Sequence, residues 1–311
     1  MSDCNNLFKE FDRELTILPS KKEKMMTSRD NLRERIKNYF KEKHPGYTPK
    51  FYIQGSYKLG TTIRTKDDKC DLDDGVYFRS NPDGVSGKTL QDWIVCAVNG
   101  TTDATPLHKK KCIRVDYKAG YNIDIPVMLF NKDTDQHPRL AVKDSDFIQD
   151  DPKEFVDYYK ERKTEQMNRM VKYLKAWCDN RRESMPSGIA MTVLVLKHFN
   201  PNDRDDIALK FLLIEIEKDL KNDFECILPT TPGDNLFDGY SESRQKVFMD
   251  NLANFIADAR SAINEKNQLK ASKLWRKHLG DRFPLGNDED ESNNKLNSIA
   301  SIVGTSKPYC K

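Results

Sequence analysis

The stretch Phe51-Tyr52-Ile53-Gln54-Gly55-Ser56, followed by Asp71-Leu72-Asp73-Asp74-Gly75 and by Asn122-Ile123-Asp124-Ile125-Pro126-Val127, decides the fold. Phe51 to Gln54 is β-prone and reads as a short strand that ends at Gly55. Glycine allows a sharp turn and close approach of a ligand to the backbone. Ser56 then places a hydroxyl at a helix N-terminus, where free N–H groups favour anions. Asp71 and Asp73 are two apart, so on a strand they point to one face. Asp74 to Phe78 continues that strand. Cys112 to Tyr117, the turn Lys118-Ala119-Gly120, and Tyr121 to Phe130 read as a β-hairpin. Ile123, Ile125, Val127 and Leu129 share one face of it, so Asp124 points the other way. A charge among β-branched residues is unusual unless it is paired or functional.

Each piece alone has an ordinary explanation: a loop for Gly-Ser, an exposed turn for Asp-x-Asp. Together and in this order, they form the pattern that metal-dependent nucleotidyl transfer requires. Carboxylates hold divalent ions, and the ions neutralise a triphosphate and activate a hydroxyl. Oxygen-only donors suit Mg²⁺ or Mn²⁺. The expected roles follow. Asp71 and Asp73 hold both ions; Asp124 ligates the ion nearer the attacking hydroxyl and accepts its proton. Gly55 and Ser56, with Gln54 before them, hold the donor phosphates.

The length of 311 residues allows one or two domains and a sizeable core. Lys and Arg number 52 against 49 Asp and Glu, a near balance that makes no case for nucleic-acid binding. Lys109-Lys110-Lys111 reads as a solvated loop before a strand. The seven cysteines are scattered, without Cys-x-x-Cys or zinc spacing. Reduced thiols and a cytoplasmic location are the expectation. No apolar run approaches transmembrane length.

Residues 27–44 read as the first long helix, capped by Thr27 or Ser28 and stopped at Pro45-Gly46. Thr89 to Asn99 reads as a helix containing Trp93. After about 150 the pattern turns helical. Asp151-Pro152-Lys153-Glu154 is a helix start. Met167, Met170, Val171, Leu174 and Trp177 form a core stripe. Pro186-Ser187-Gly188 breaks the chain before a buried helix from Ile189 to Phe199, and Arg244 to Asn264 is a further amphipathic helix. Gly286 to Asn294 is acidic and polar. A strand-rich part (1–150) and a helical part (151–311) give an α+β architecture, with an active-site cleft expected between them.

Gly55-Ser56, Asp71-Leu72-Asp73 and Asp124 resemble the DNA polymerase β-like nucleotidyltransferases. The longer runs Gln54-Gly55-Ser56, Asp71 to Gly75 and Asn122 to Pro126, with Asp151 to Glu154, Tyr173 to Trp177 and Pro186 to Gly188, are similar to the cGAS/DncV-like nucleotidyltransferases (CD-NTases) of bacterial CBASS anti-phage systems. The resemblance covers about residues 50–200 and lies nearest the dinucleotide-cyclase branch. It implies a nucleotidyltransferase core with mixed sheet and helices, then an oligoadenylate synthetase-like helical domain. It further implies a monomer making a purine cyclic dinucleotide from ATP and/or GTP for a product-sensing effector. Lys175 and Ser187 stand where that family binds donor phosphates; alternatively Lys175 is an exposed helix lysine and Ser187 a simple cap. Arg114 stands where the branch contacts a nucleotide; alternatively it pairs with a strand neighbour. There are departures. Nothing resembles the zinc thumb of the animal enzyme, so no DNA requirement is expected. Asn122 replaces a frequent histidine. The end Pro308-Tyr309-Cys310-Lys311 lacks the glycine or alanine through which some relatives are conjugated. The rival readings are a linear transferase (oligoadenylate synthetase-like, tRNA-tailing or protein-nucleotidylating) and a catalytically dead nucleotide-binding module.

Overall fold

The computed structural model describes residues 2–288; the end Pro308 to Lys311 and most of the acidic stretch to Asn294 lie outside them. The elements begin with α1 (Asn5–Leu15), α2 (Pro19–Lys43), β1 (Lys50–Gln54), α3 (Gly55–Leu59), β2 (Cys70–Phe78) and α4 (Gly87–Val98). Then come β3 (Leu107–His108), β4 (Ile113–Tyr117), β5 (Tyr121–Ile125), β6 (Val127–Leu129), β7 (Arg139–Val142) and β8 (Asp146–Gln149). The helices α5 (Pro152–Arg162), α6 (Glu165–Arg181), α7 (Gly188–His198), α8 (Asp205–Asn222), α9 (Glu242–Asn264) and α10 (Gln268–Leu279) follow. This is the expected α+β fold, a mixed sheet with helices followed by a helical part.

The chain forms two compact units interleaved in sequence. One comprises Thr16–Asn168 and Cys226–Leu236; the other comprises the described residues up to Leu15, Arg169–Glu225 and the described residues from Phe237 onward. This differs from a division at residue 150, because α1 and the segment 226–236 each pack with residues far away in sequence.

In the sheet unit, β2 is central. β1 lies antiparallel on one edge, pairing Gln54 with Asp73. β5 and β6 lie parallel on the other, pairing Asp73 with Asp124 and Val76 with Val127. Pro126 has no N–H to give the ladder, so it divides β5 from β6; its carbonyl still accepts from the Val76 N–H at 2.9 Å. Beyond the break β5 pairs with β4 and β6 with β7. Leu72, Val76, Ile123, Ile125 and Val127 bury one face together with Leu32, Ile36 and Phe40 of α2 and Leu90, Ile94 and Val98 of α4. Strand alternation therefore turns Asp71, Asp73 and Asp124 to the opposite face. Tyr77, Met128, Leu140 and Val142 form a smaller cluster.

Helix α2 begins at Pro19, eight residues before the expected start at Thr27. Proline suits a first turn, having no N–H to leave unpaired. Neither Thr27 nor Ser28 caps it. The Thr27 hydroxyl donates to the Glu23 carbonyl at 3.1 Å, and Ser28 Oγ lies 2.8 Å from the Tyr121 hydroxyl. Helix α4 is capped by Ser86, whose Oγ accepts from the Thr89 N–H at 3.2 Å.

Before α5, burial pushes the Asp150 carboxyl up to about 6; Lys111 opposes the shift, and Asp234 and Asp151 add to it. The folded state thus holds this proton more tightly than the unfolded chain. The resulting stability is complete below about 3.8 and is lost as pH rises through about 6. Asp150→Asn is expected to stabilise the protein by on the order of 1 kcal/mol at pH 7.5 and much less at pH 4.5, read by urea unfolding at both values. An equal gain at the two pH values would show that charge is not the cause.

In the helical unit, α1 is held by aromatic packing and buried ion pairs. The Phe8 ring lies 5.1 Å from Tyr173, 5.0 Å from Trp275 and 4.9 Å from Phe283. Asp205 is fully buried and accepts from Arg169 at 2.6 and 2.8 Å, with the Tyr173 hydroxyl 2.9 Å away. Asp206, also buried, accepts from Arg204 and from the Cys4 N–H at 3.1 Å. Helix α7 buries Ala190 to Val195 but leaves Ile189 of the expected apolar run 42% exposed.

Candidate active site

The register of three strands assembles the site. Asp73 on β2 lies between Gln54 of β1 and Asp124 of β5, and Asp71 lies beside Asn122. Asn122 Nδ2 donates to Asp71 Oδ1 at 2.9 Å. Asp74, next in sequence, faces the opposite side and is buried. Arg33 of α2 donates to both of its oxygens, at 2.7 and 2.5 Å. That pair ties α2 to the strand carrying the two metal-binding candidates.

Gly55 opens α3 with φ +60°, a left-handed backbone that favours glycine. A Cβ added there would lie 2.0 Å from Asp73 Oδ2, so the carboxylate rests directly on the turn. Ser56 Oγ is 2.9 Å from Thr62 Oγ1. Gln54 does not face this site with its side chain. It is 8% exposed, its Oε1 accepts from the Tyr77 hydroxyl at 3.0 Å, and it fills the space above Gly75. At the turn itself Gln54 is the residue that precedes α3, with no side-chain cap hydrogen bond to it.

Arg114 on β4 is the cross-strand partner of Asp124. Its Nε and one terminal nitrogen each donate to Asp124 at 2.7 Å, and the latter nitrogen lies 3.5 Å from Asp71 Oδ1. Lys109 Nζ lies 3.9 Å from Asp124. The bonds to Asp124 hold the guanidinium still more firmly protonated than an ordinary arginine. The strand-neighbour alternative is thus the arrangement seen here. Burial, with the charge of Asp124 adding to it, pushes the Cys112 thiol up to about 12, which keeps it protonated and poorly nucleophilic.

The three aspartates supply oxygen donors alone, from adjacent positions of paired strands, and that set fits a hard divalent ion. Arg114 now supplies the positive charge at Asp124. The three do not close to a tight ligand group. Among the described residues, the trio whose ligand atoms lie within 4.8 Å of one another is His137, Asp151 and Glu154. Sequence reading missed that trio, and missed Arg33. The signal for Arg33 was available: Asp74 alternates with Asp71 and Asp73 onto the apolar face, and an acid there needs a cation.

Lys175 and Ser187 lie together in the helical unit. Ser187 Oγ accepts from the Ala190 N–H at 3.3 Å and so caps α7. A Cβ added to Gly188 would lie 3.0 Å from Lys175 Cε and 3.6 Å from its Nζ, which puts the ammonium beside the first turn of that helix.

A turn at the end of β1, two acids on β2 and a third on the parallel β5, with a helical unit following, define the polymerase β-like nucleotidyltransferase fold. Residues 49–128 match the family described as Cyclic GMP-AMP synthase DncV-like, nucleotidyltransferase domain. Residues 49–128 are thus similar to a cGAS/DncV-like (CD-NTase) nucleotidyltransferase domain. Over 146 residues it is 30% identical to a cyclic AMP-AMP-AMP synthase of an Acinetobacter species, covering 43% of this chain and 41% of that protein. The match thus spans well under half the length of that relative. Solved structures of Vibrio cholerae DncV share the fold. The GTP-bound form is 18% identical with a TM-score of 0.79, covering 91% of this chain and 96% of that one. The complex with the linear intermediate 5′-pppA(3′,5′)pG is 20% identical with a TM-score of 0.74, covering 88% and 93%. No helix among the described residues is long and apolar enough to cross a membrane.

Proposed function

We propose that this protein is a metal-dependent cyclic oligonucleotide synthase that joins ATP and/or GTP into a purine cyclic dinucleotide. The observation that carries the reading is the strand register that sets Asp73 against both the Gly55 turn and Asp124. Asp71, Asp73 and Asp124 would hold Mg²⁺ or Mn²⁺, which when bound lowers the pKa of an attacking hydroxyl and steadies the leaving oxygens. Asp124 accepts the proton of that hydroxyl. Gly55 and Ser56 position the donor phosphates. Arg114, released from Asp124, turns its guanidinium to the nucleotide. Purine use is supported by Vibrio cholerae DncV, which is described bound to GTP and, as a variant, to ATP and GTP. A linear product must reverse its direction in the site for the ring to close. The product would act on a separate effector in a cytoplasmic anti-phage system. The Acinetobacter relative favours a second reading, a cyclic trinucleotide of AMP. The presence of all three acids speaks against a dead binding module.

The test incubates purified protein with Mg²⁺ or Mn²⁺ and labelled ATP and GTP, singly and paired, then treats the products with phosphatase. A resistant small product with two nucleotides supports the first reading, and one with three AMP units the second. Label that phosphatase removes, or that stays on a macromolecule, would replace both with a linear transferase.

Lys175→Gln and Ser187→Ala are each expected to raise the KM for the nucleotides about tenfold, equivalent to about 1.4 kcal/mol of binding, with kcat little changed. Ser187→Ala should also cost about 1 kcal/mol of stability through its lost cap. Unchanged KM values in both variants would confine the two residues to structural roles.

A further inference from the structure

His137 precedes β7, Asp151 caps α5, and Glu154 lies in the first turn of α5. His137 Nδ1 is 3.2 Å from Asp151 Oδ2 and 3.8 Å from Glu154 Oε2. These atoms do not belong to the site of Asp71, Asp73 and Asp124. We propose that His137, Asp151 and Glu154 form a second metal site, for a divalent transition ion of the zinc class.

The geometry needs little change. Zinc binds imidazole nitrogen and carboxylate oxygen at about 2.0–2.2 Å, so neighbouring ligands of a tetrahedral ion lie about 3.3 Å apart. One edge of that tetrahedron already has this length, and the other two need to contract by about 1.5 Å at most. The mixed nitrogen and oxygen set favours zinc over magnesium, which prefers oxygen and retains its water. Three protein ligands leave a fourth position for water.

The surroundings orient the ligands. His137 Nε2 lies 3.4 Å from Thr231 Oγ1, a partner of the kind that fixes the ring of a metal-bound histidine. Asp151 Oδ1 is engaged by the Glu154 N–H at 3.0 Å, leaving Oδ2 turned to the imidazole. Glu154 Oε2 accepts from the Thr231 N–H at 2.9 Å. The Glu154 side chain is 40% exposed, against 22% for His137 and 15% for Asp151, so an ion can enter past it onto two better-held ligands.

A bound ion would fasten the segment around Thr231 to α5 and the start of β7.

The test titrates tag-free, metal-stripped full-length protein with ZnCl₂ by calorimetry, in excess Mg²⁺ to cover the oxygen-only site. One zinc site is expected in the wild type. His137→Ala and Glu154→Gln should each weaken it more than about tenfold, and Asp71→Asn/Asp73→Asn should leave it in place. Zinc should raise Tm in the wild type and not in the two site variants. Glu154→Gln retains an acceptor for the Thr231 N–H, so it decides the matter should His137→Ala fail to fold, which melting in EDTA would reveal. Absence of zinc binding by the wild type, or binding that survives Glu154→Gln and is lost with the aspartate pair, would overturn the proposal.

Discussion

Replacing Asp71 and Asp73 together by asparagine is expected to lower product formation from ATP and GTP by on the order of 10³-fold or more, with the fold intact. Both changes keep shape and remove charge. The Asp71 side chain is 54% exposed, and an amide oxygen there can still accept from Asn122. At Asp73 the amide has the volume of the carboxylate that rests on Gly55. Two amides hold a divalent ion far less well than two carboxylates, so the hydroxyl loses its activation. Nearby Asp124 keeps its bonds to Arg114. Tm should therefore stay within about 2 °C of the wild type or rise slightly, as like charges are relieved. Phosphatase-resistant product at more than a tenth of the wild-type rate, from a folded variant, would remove these acids from the chemistry.

Gly55→Ala is the second large effect, expected to lower kcat/KM by about 10²-fold. A methyl group at this position collides with Asp73, since the added Cβ would lie 2.0 Å from Oδ2 and 2.7 Å from Cγ. Either the carboxylate swings away or the turn opens. Both displace a ligand by about an ångström, and misplacement on that scale costs about two orders of magnitude. The backbone at φ +60° adds a separate cost of about 1–2 kcal/mol to stability. The loss of activity should thus exceed what the drop in Tm explains, and added Mn²⁺ should restore only part of it. A fall in activity that simply tracks unfolding would assign Gly55 to the backbone alone.

The sequence showed the site where its parts are local or periodic, and hid it where they depend on packing. Gly55, Asp71 and Asp73 were legible because a turn and a two-residue repeat carry their own geometry. Asp124 was legible because a charge interrupts an apolar strand. The pairing of Arg114 could have been counted out. The turn Lys118-Ala119-Gly120 sets Tyr117 opposite Tyr121, and three steps outward bring Arg114 opposite Asp124. The side-chain setting of Gln54 was not legible, because its neighbours Gly75 and Tyr77 adjoin it only once β1 pairs with β2. Helix α1 was not read, since Phe8, Phe11 and Leu15 make one short stripe whose partners Tyr173, Trp275 and Phe283 lie far along the chain. The trio around His137 escaped for the same reason: its members come from a loop and a helix start.

The interleaving of the two units bears on how the chain acquires its structure during synthesis. Asn5 accepts from the Asp205 N–H 200 residues later, and Glu154 accepts from Thr231. At about 5–20 residues per second, a ribosome needs about 10–40 s to produce the partner that α1 awaits. Through that interval the Phe8 and Phe11 side chains have nowhere to bury, and the sheet lacks its segment 226–236. A fragment cut after residue 168 would carry both deficits permanently. Contacts of such long separation also slow folding, so the nascent protein is expected to lean on chaperones more than its size alone would suggest.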